Sequence, residues 1–188
     1  MKNTIEELLE DCPIITAVKD EKGLNRCLES DSRMVFILFG DICNISRIVE
    51  KVKNSGRIAV VHLDLLGGLS NKEISVDFMK QHTLADGIIT TKPALIKRAK
   101  ELGLFTVLRI FMIDSLAFQN IEKQGLAVKP DLIEILPGVM PKVIQKICKI
   151  TRIPIIAGGL IQDKEDVMNA LSAGAVSIST TKEEVWFL

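Results

Sequence analysis

Short apolar runs recur along the chain, and the segments between them alternate apolar and polar positions with a helical period. Eight runs are rich in β-branched and other apolar residues, as strands buried on both faces are. They cover residues 13–18, 34–39, 58–63, 86–90, 104–111, 131–136, 153–158 and 175–179. Successive runs start 21, 24, 28, 18, 27, 22 and 22 residues apart, which leaves room for one helix and two short loops each time. The pattern predicts eight parallel strands.

The segments between the runs are typical of amphipathic helices. Ser70 and Glu73 form a capping-box pattern before the helix expected at 71–82, and Asp163 can cap another helix. Strands that alternate with helices predict an α/β fold. Eight such units predict a compact, closed (β/α)8 barrel of the TIM type.

The length of the chain limits the number of domains and the size of the helices and loops. A length of 188 residues fits one domain spanning 1–188, because two domains would each be small. TIM barrels typically contain about 250 residues and rarely fewer than about 200, so the helices and loops are expected to be near their minimum. An open doubly wound sheet is the alternative. The absence of a GxGxxG motif in the first βα unit and of recognisable edge strands favours the barrel.

Charge and composition exclude several classes of function. The chain has 24 Lys and Arg and 24 Asp and Glu, so it cannot coat nucleic acid or membrane as a polycation, and any anion site must be local. Its apolar runs are far shorter than the roughly 18 residues of a membrane span, and the polar start lacks the apolar stretch of a secretory signal. We expect a cytoplasmic protein. The four cysteines and two histidines show no metal-ligand spacing, so reduced thiols and no metal site are expected.

The last two strands are followed by residues suited to phosphate. In TIM barrels the loops after strands 7 and 8 are a common phosphate site, often with a short extra helix. Gly158 and Gly159 allow close backbone approach, and a helix beginning near Thr180 presents free N–H groups beside the hydroxyls of Thr180 and Thr181. The alternative is structural: a tight turn at the glycines and a capping box between Thr180 and Glu183.

Other polar residues follow or end strands at the same rim. They are Lys19, His62, Asp64, Lys92, Arg109 and Glu134. Charged residues in apolar strands are costly to bury unless they are paired or ligand-bound, and the sequence leaves open whether Glu134 pairs with Arg109 or Lys92 or contacts a ligand directly. Lys92 and Arg109 complement a ligand with close to two negative charges, while Asp64 and Glu134 can accept hydrogen bonds from hydroxyls. The predicted ligand is a small phosphorylated polyol.

One stretch of the chain is strongly basic. Residues 142–152 contain Lys142, Lys146, Lys149 and Arg152 with no acid, and the three lysines share one helix face. Such a face is usually only solvated. The functional alternative is a track for RNA phosphates. The chain has no Tyr and few other aromatics, so base-specific recognition cannot be assigned.

Several strings together resemble one bacterial family, the glycerol-uptake operon antiterminators, which are glycerol-3-phosphate-responsive regulators. The strings are VVHLDLLGGLS at 60–70, DGIITTK at 86–92, RIFMIDS at 109–115, PDLIEILPGVMP at 130–141, IPIIAGGL at 153–160 and SAGAVSISTTKEEVW at 172–186. The resemblance spans nearly the whole chain. It implies a non-catalytic sensor with glycerol 3-phosphate as effector and no cofactor, which binds the mRNA leader of glycerol-metabolism genes and favours transcription past a terminator.

The resemblance also implies roles for individual residues. Gly158, Gly159, Ser179 and Thr180 would bind the phosphate, with Lys92 and Arg109 adding positive charge. The alternative function is a barrel enzyme, such as an isomerase, aldolase or phosphodiesterase of a phosphorylated polyol. It would use the acid-base groups or the amine of His62, Asp64, Lys92 and Glu134. The sequence leaves the oligomeric state and the RNA structure open.

Overall fold

Eight parallel strands close into a barrel in the computed structural model, which describes residues 7, 9, 11–121 and 127–188. The strands are β1 (Ile14–Val18), β2 (Met34–Ile37), β3 (Ile58–His62), β4 (Gly87–Thr90), β5 (Phe105–Phe111), β6 (Leu132–Leu136), β7 (Ile155–Gly158) and β8 (Ser177–Thr180). Each strand pairs with the next along the chain, and β1 pairs with β8. This order confirms the predicted TIM barrel and excludes an open sheet.

Short helices connect the strands. The described residues form α1 (Glu21–Cys27), α2 (Ile45–Asn54), α3 (Ile74–His82), α4 (Pro93–Glu101), α5 (Ser115–Asn120), α6 (Pro141–Ile150) and α7 (Lys164–Ser172). Single 3-10 segments follow β3 (Leu63–Leu65) and β8 (Glu183–Phe187). Helices of 6 to 10 residues explain how a complete barrel fits into this length. Within the described residues, no helix has the length and apolar character needed to cross a membrane.

The predicted helix caps are partly formed. Asp163 caps α7, since its Oδ1 accepts a hydrogen bond from the Asp166 amide at 3.0 Å. The predicted capping box of Ser70 and Glu73 is wrong: α3 begins at Ile74, and Glu73 at the cap position makes no side-chain cap bond. Instead the Ser75 hydroxyl donates to the Ser70 carbonyl at 2.5 Å. The polar residues before α3 therefore form a turn rather than its first helical turn.

Two apolar layers stabilise the barrel. Side chains that point outward pack beneath the helices. Side chains that point inward fill the barrel, among them Ile15, Phe36, Val60, Ile89, Val107 and Ile156. Because alternate residues of a strand share a face, the interior position after Val60 is His62 and that after Val107 is Arg109. The barrel interior therefore changes from apolar to polar at the carboxyl ends of the strands.

Candidate functional site

A buried ion pair joins two neighbouring strands at the mouth of the barrel, at the carboxyl ends of the strands. Arg109 on β5 lies opposite Glu134 on β6 in the strand register, and its Nε donates to Oε2 of Glu134 at 2.5 Å. Glu134 is 0% exposed and Arg109 is 8% exposed. The Ser179 hydroxyl donates to Oε1 of Glu134. Of the alternatives that the sequence left open, Glu134 thus pairs with Arg109 and not with Lys92.

Gly158 makes this arrangement sterically feasible. A Cβ added at Gly158 would lie 2.5 Å from Oε1 of Glu134 and 2.7 Å from Oγ of Ser179. No side chain fits between β7 and these two polar groups. Because Gly158 has no side chain, the Glu134 carboxylate can lie against β7.

A cavity of about 150 Å³ lies beside the ion pair, between the loops that follow β7 and β8. Its lining includes Ala17, Leu38, Arg109, Glu134, Leu136, Gly159, Leu160, Ile161, Gln162, Ser179, Thr180 and Thr181. With about 30 Å³ of liquid volume per water molecule, it accommodates a small ligand. Among the described residues, the Arg109 side chain bonds only through Nε, to Glu134. Its terminal nitrogens are therefore available for an oxyanion.

Larger cavities exist elsewhere on the molecule. One of about 640 Å³ is lined by residues that precede β1, β2 and β3, including Arg33 and Arg57, and by residues of α7. The Arg57 guanidinium donates to the carbonyls of Leu28, Ser30 and Ser32, so it serves the fold.

Ligand sites of TIM barrels lie at the carboxyl ends of the strands. The described part of the chain has two cavities at that end. The one of about 480 Å³ that follows β5 is lined by residues of α5 and by Val143 and Lys146 of α6, whereas the smaller one adjoins the buried ion pair and the loops after β7 and β8, and it is therefore the candidate site.

The loop after β7 has an unusual backbone conformation. Gly159 has φ 72° and Leu160 has φ 62°, and the left-handed region is sterically unfavourable for leucine. Three hydrogen bonds fix the loop: Gly138 N to Gly159 O at 3.0 Å, Thr180 Oγ1 to Ile161 O at 2.9 Å, and Gln162 N to Asp166 Oδ2 at 2.9 Å. A strained conformation held from several sides is typical of a functional loop. Sequence reasoning missed Leu160, because leucine gives no signal for this conformation.

Thr180 connects the two loops. Besides its bond to Ile161, its hydroxyl accepts from the Lys182 amide at 3.0 Å, and its carbonyl accepts from Nε1 of Trp186 at 2.8 Å. The segment Glu183–Phe187 has Lys182 at its cap position and no side-chain cap bond, so the alternative capping box with Glu183 does not form. Thr180 therefore orders the segments around the cavity.

A second polar cluster follows β3 and β4. The Asp64 carboxylate accepts from the Thr90 hydroxyl at 2.7 Å, the Thr91 amide at 2.8 Å and the Thr91 hydroxyl at 2.6 Å. Nζ of Lys92 lies 3.4 Å from Oδ1 of Asp64. Burial acts to raise the pKa of Asp64, but the threonine hydrogen bonds outweigh it and hold this pKa below its usual value. Asp64 and Lys92 thus form a pair of their own and do not line the cavity.

His62 lies at the end of β3 and is only 3% exposed. Burial lowers the pKa of His62 to about 4, and the positive charge of Arg109 lowers it further, against the opposing effect of Asp64. Near neutral pH this imidazole is therefore uncharged.

The remaining predicted residues lie outside the cavity lining. Lys19 is exposed after β1 and makes no ion pair with a described residue. The basic residues Lys142, Lys146, Lys149 and Arg152 are exposed on and just after α6. Within the part of the chain that the structure describes, none of these four cations forms an ion pair. They form an unpaired basic surface.

The cysteines are separate from the candidate site. Cys12, Cys27, Cys43 and Cys148 are free thiols, and burial raises the pKa of Cys27 and Cys148. A search of the described residues finds no cluster of three or more His, Cys, Asp or Glu side chains able to bind a metal ion.

The closed strand order and the cavity at the carboxyl ends define a TIM-type (β/α)8 protein. Residues 14–186 match the model of the family described as glycerol-3-phosphate responsive antiterminator. The chain belongs to this family.

The chain is also similar to individual proteins and solved structures. The chain is 49% identical over 181 residues to the protein YgcP of Escherichia coli K12, covering 96% of this chain and 95% of that one. A crystal structure of a glycerol uptake operon antiterminator regulatory protein from Listeria monocytogenes superposes with a TM-score of 0.90 at 33% identity, covering 94% of this chain and 95% of that one. An antiterminator-related protein from Thermotoga maritima gives 0.82 at 33% identity, with coverage of 92% and 96%.

Proposed function

We propose that this protein is a non-catalytic cytoplasmic regulator that senses glycerol 3-phosphate at the barrel mouth. With the ligand bound, it engages the mRNA leader of glycerol-metabolism genes and favours transcription past a terminator. The observation that carries the proposal is the family match over residues 14–186, which assigns the chain to antiterminators responsive to this metabolite. The cavity between the loops after β7 and β8 supports it, because TIM barrels commonly bind phosphate there.

The phosphate lies in this cavity, against the loops that contain Gly159 and Thr180. Arg109 supplies positive charge through its terminal nitrogens, since Nε already bonds Glu134. The hydroxyls of Ser179 and Thr180 already donate to protein oxygens, so these residues contribute mainly through their backbone and by ordering the loops. Because Glu134 neutralises part of the charge of Arg109, main-chain amides supply the remaining attraction for the dianion.

Ligand binding is coupled to RNA binding. Phosphate joins the loops after β7 and β8, orders the rim including residues 65–70, and shifts the population toward the form that binds RNA. Such coupling is reciprocal, so leader RNA must tighten ligand binding by the same factor.

The RNA surface includes the basic residues of α6. Lys142, Lys146, Lys149 and Arg152 are exposed and, among the described residues, free of acidic partners. Phosphate contacts of this kind give affinity without base specificity. Base-specific recognition requires contacts beyond this surface.

The test is a titration of purified protein with a fluorescent transcript of its own operon leader, with and without glycerol 3-phosphate. We expect ligand to tighten RNA binding by at least about fivefold, the lower end of usual coupling energies. Glycerol and inorganic phosphate, added separately, are the controls for the two halves of the ligand. Equal RNA affinity with and without glycerol 3-phosphate would reject the proposal.

A further inference from the structure

The larger cavity at the carboxyl ends of the strands lies between α5 and α6. Residues after β5 and on α5 form one wall, and Val143 and Lys146 of α6 form the other. Its volume is about 480 Å³, within the range of about 300–1,000 Å³ that is usual for sites of small organic ligands. The cavity therefore has room for a ring system of the size of a nucleobase.

The apolar part of this cavity includes an aromatic ring. Met112, Phe118 and Val143 line the cavity and also pack against the core, so the barrel fixes their positions. Ile113 beside them is 82% exposed. A single exposed apolar residue is ordinary, but apolar side chains grouped around a cavity are typical of a binding site. Nucleobases stack on aromatic side chains, and Phe118 provides one here.

Polar groups lie at the edge of the same cavity. Asp114, Ser115 and Gln119 are exposed and line it. Oδ1 of Asp114 accepts a hydrogen bond from the Ala117 amide at 2.8 Å, which fixes the side chain at the start of α5. Carboxylate, hydroxyl and amide groups supply both donors and acceptors. The edge of the cavity can therefore form hydrogen bonds with the edge of a base.

Lys146 belongs both to this cavity and to the basic surface of α6. It lines the cavity, and it lies about one turn from Lys142 and Lys149 on the same helix face. An RNA strand whose phosphates contact these lysines passes the opening of the cavity. The row of cations also favours a polyanion over an apolar protein segment as the occupant.

The cavity is connected to the proposed ligand site through the ends of β5 and β6. The Met112 amide donates to the Leu136 carbonyl at 2.7 Å. Met112 lines the cavity between α5 and α6, and Leu136 lines the smaller cavity beside the ion pair. The two cavities thus share a hydrogen-bonded pair of strand ends.

We propose that the cavity between α5 and α6 binds one unpaired base of the leader RNA, which stacks on Phe118 while Lys146 contacts a neighbouring phosphate. This inference rests on the proposed function and adds to it a contact with a base, which phosphate contacts of the lysines do not supply. Proteins recognise the sequence of RNA mainly at bases that are splayed out of loops, bulges and ends. The bound base therefore lies in such a part of the leader.

The test combines one protein variant with abasic positions in a synthetic, fluorescent leader RNA, at saturating glycerol 3-phosphate. Replacing one particular unpaired nucleotide by an abasic one should weaken wild-type binding by about tenfold, a usual loss for a base stacked on an aromatic ring. Phe118→Leu, which removes the flat ring, should weaken binding of the intact leader by a similar factor. In this variant the same abasic replacement should have no further effect. Independent losses that multiply, or an intact leader bound as tightly as by wild type, would overturn the base site.

Two further variants separate stacking from general damage to the fold. Phe118→Tyr keeps a flat ring and should retain the wild-type affinity. Phe78→Leu is the matched control, since Phe78 is also half-buried on a helix and packed against the core, but lies on α3. Equal losses in Phe78→Leu and Phe118→Leu would contradict the inference.

An RNA duplex of the same length offers phosphates without unpaired bases. Phe118→Leu should bind this duplex as wild type does, with an unchanged salt slope, and a weaker affinity for the duplex would argue against a base contact. If the cavity instead joins two copies of the chain, Phe118→Leu would alter sedimentation and leave the affinity for leader RNA unchanged, which also overturns the base site. If wild-type protein binds no leader RNA, the proposed function itself fails, a result distinct from all of these.

Discussion

Arg109 and Glu134 face each other across β5 and β6 and form an ion pair that is almost entirely removed from solvent. The Nε to Oε2 distance is 2.5 Å, and the other carboxylate oxygen accepts from Ser179. Burying two charges is expensive, and the cost is offset only where geometry is good and the remaining lone pairs are satisfied. Three strands contribute to this network, so the ion pair also fixes the shape of the barrel mouth.

Glu134→Leu should destabilise the protein strongly, because it leaves the Arg109 guanidinium buried without a counter-charge. We expect the free energy of unfolding, measured by urea denaturation, to fall by about 3–5 kcal/mol. The double variant Arg109→Leu with Glu134→Leu is the control, and it should recover a substantial part of that loss. Additive losses in the double variant would contradict the ion-pair explanation.

Gly158→Ala tests the close approach of β7 to this network. The added methyl would lie 2.5 Å from Glu134 Oε1 and must displace the carboxylate. Overpacking of this kind costs about 1–3 kcal/mol of unfolding free energy. Gly23→Ala is the matched control, since its added Cβ has its nearest neighbour at 3.3 Å and lies in a helix, where alanine is favoured. Comparable losses in the two variants would argue against a specific clash at Gly158.

Leu160→Gly should relieve backbone strain in the loop after β7. A left-handed conformation costs an L-residue roughly 1–2 kcal/mol, whereas glycine adopts it freely. Leu160 is 64% exposed, so little apolar burial is lost. After the greater chain entropy of unfolded glycine is subtracted, we expect a stabilisation of about 0.5 kcal/mol in thermal unfolding. Leu160→Ala, which keeps the strain, is the control and should not stabilise; stabilisation in both variants would exclude strain relief as the cause.

Acid should destabilise the protein through His62. The folded-state pKa of His62 is lowered from 6.5 to about 4, first by burial and then by Arg109. Between these values the unfolded state binds more protons than the folded state, so stability falls as pH falls from about 6.5 toward 4. The loss attributable to His62 amounts to about 3 kcal/mol over that window. The pKa of Asp64 is also lowered. Its stabilising effect is therefore complete in this window and is lost only at more acidic pH, when the carboxylate is protonated.

Urea denaturation at pH 4.5 to 7 measures this effect. His62→Gln should flatten the pH dependence in that range, and His82→Gln, a change at an exposed position of α3, should leave it intact. An unchanged slope in the His62 variant would show that other groups carry the acid sensitivity.

Lys146→Gln should weaken leader RNA binding and reduce its salt dependence. If Lys146 neutralises one RNA phosphate, the slope of log affinity against log salt should decrease by about 0.7–1. Lys72→Gln, on an exposed segment before α3, is the matched control. If the two variants have the same slope as wild type, α6 does not contact RNA phosphates.

The barrel could be predicted from the sequence because its strands are covered on both faces. This burial requires uninterrupted apolar runs, and runs such as 153–158 recur at nearly regular intervals. The helix α1 gives a weaker signal, since only Gly23, Leu24 and Cys27 of its residues are buried. Short helices of this kind are determined by packing against the barrel rather than by their own pattern.

The site was only partly predictable. The sequence indicated the polar residues of the rim, but the partner of Glu134 depends on strand register, which sets Arg109 opposite it and keeps Lys92 near Asp64. Neither residue type nor spacing indicates the positive φ of Leu160. The same holds for the buried Nδ1 of His62, which has no hydrogen-bond partner among the described residues. The first depends on the hydrogen bonds that hold the loop after β7, and the second on the burial of His62 at the end of β3.

The last strand completes both the barrel and the site. Ile178 N donates to Pro13 O at 2.8 Å, and Ser179 joins the Glu134 network from the same strand. During translation, β1 therefore has only β2 as a paired strand until residues 177–180 have left the ribosome. The cavity lacks its Ser179 and Thr180 lining until then. A chain that lacks β8 therefore lacks the Ser179 hydroxyl on Glu134 and the Thr180 side of the cavity, and we expect it not to bind the proposed ligand.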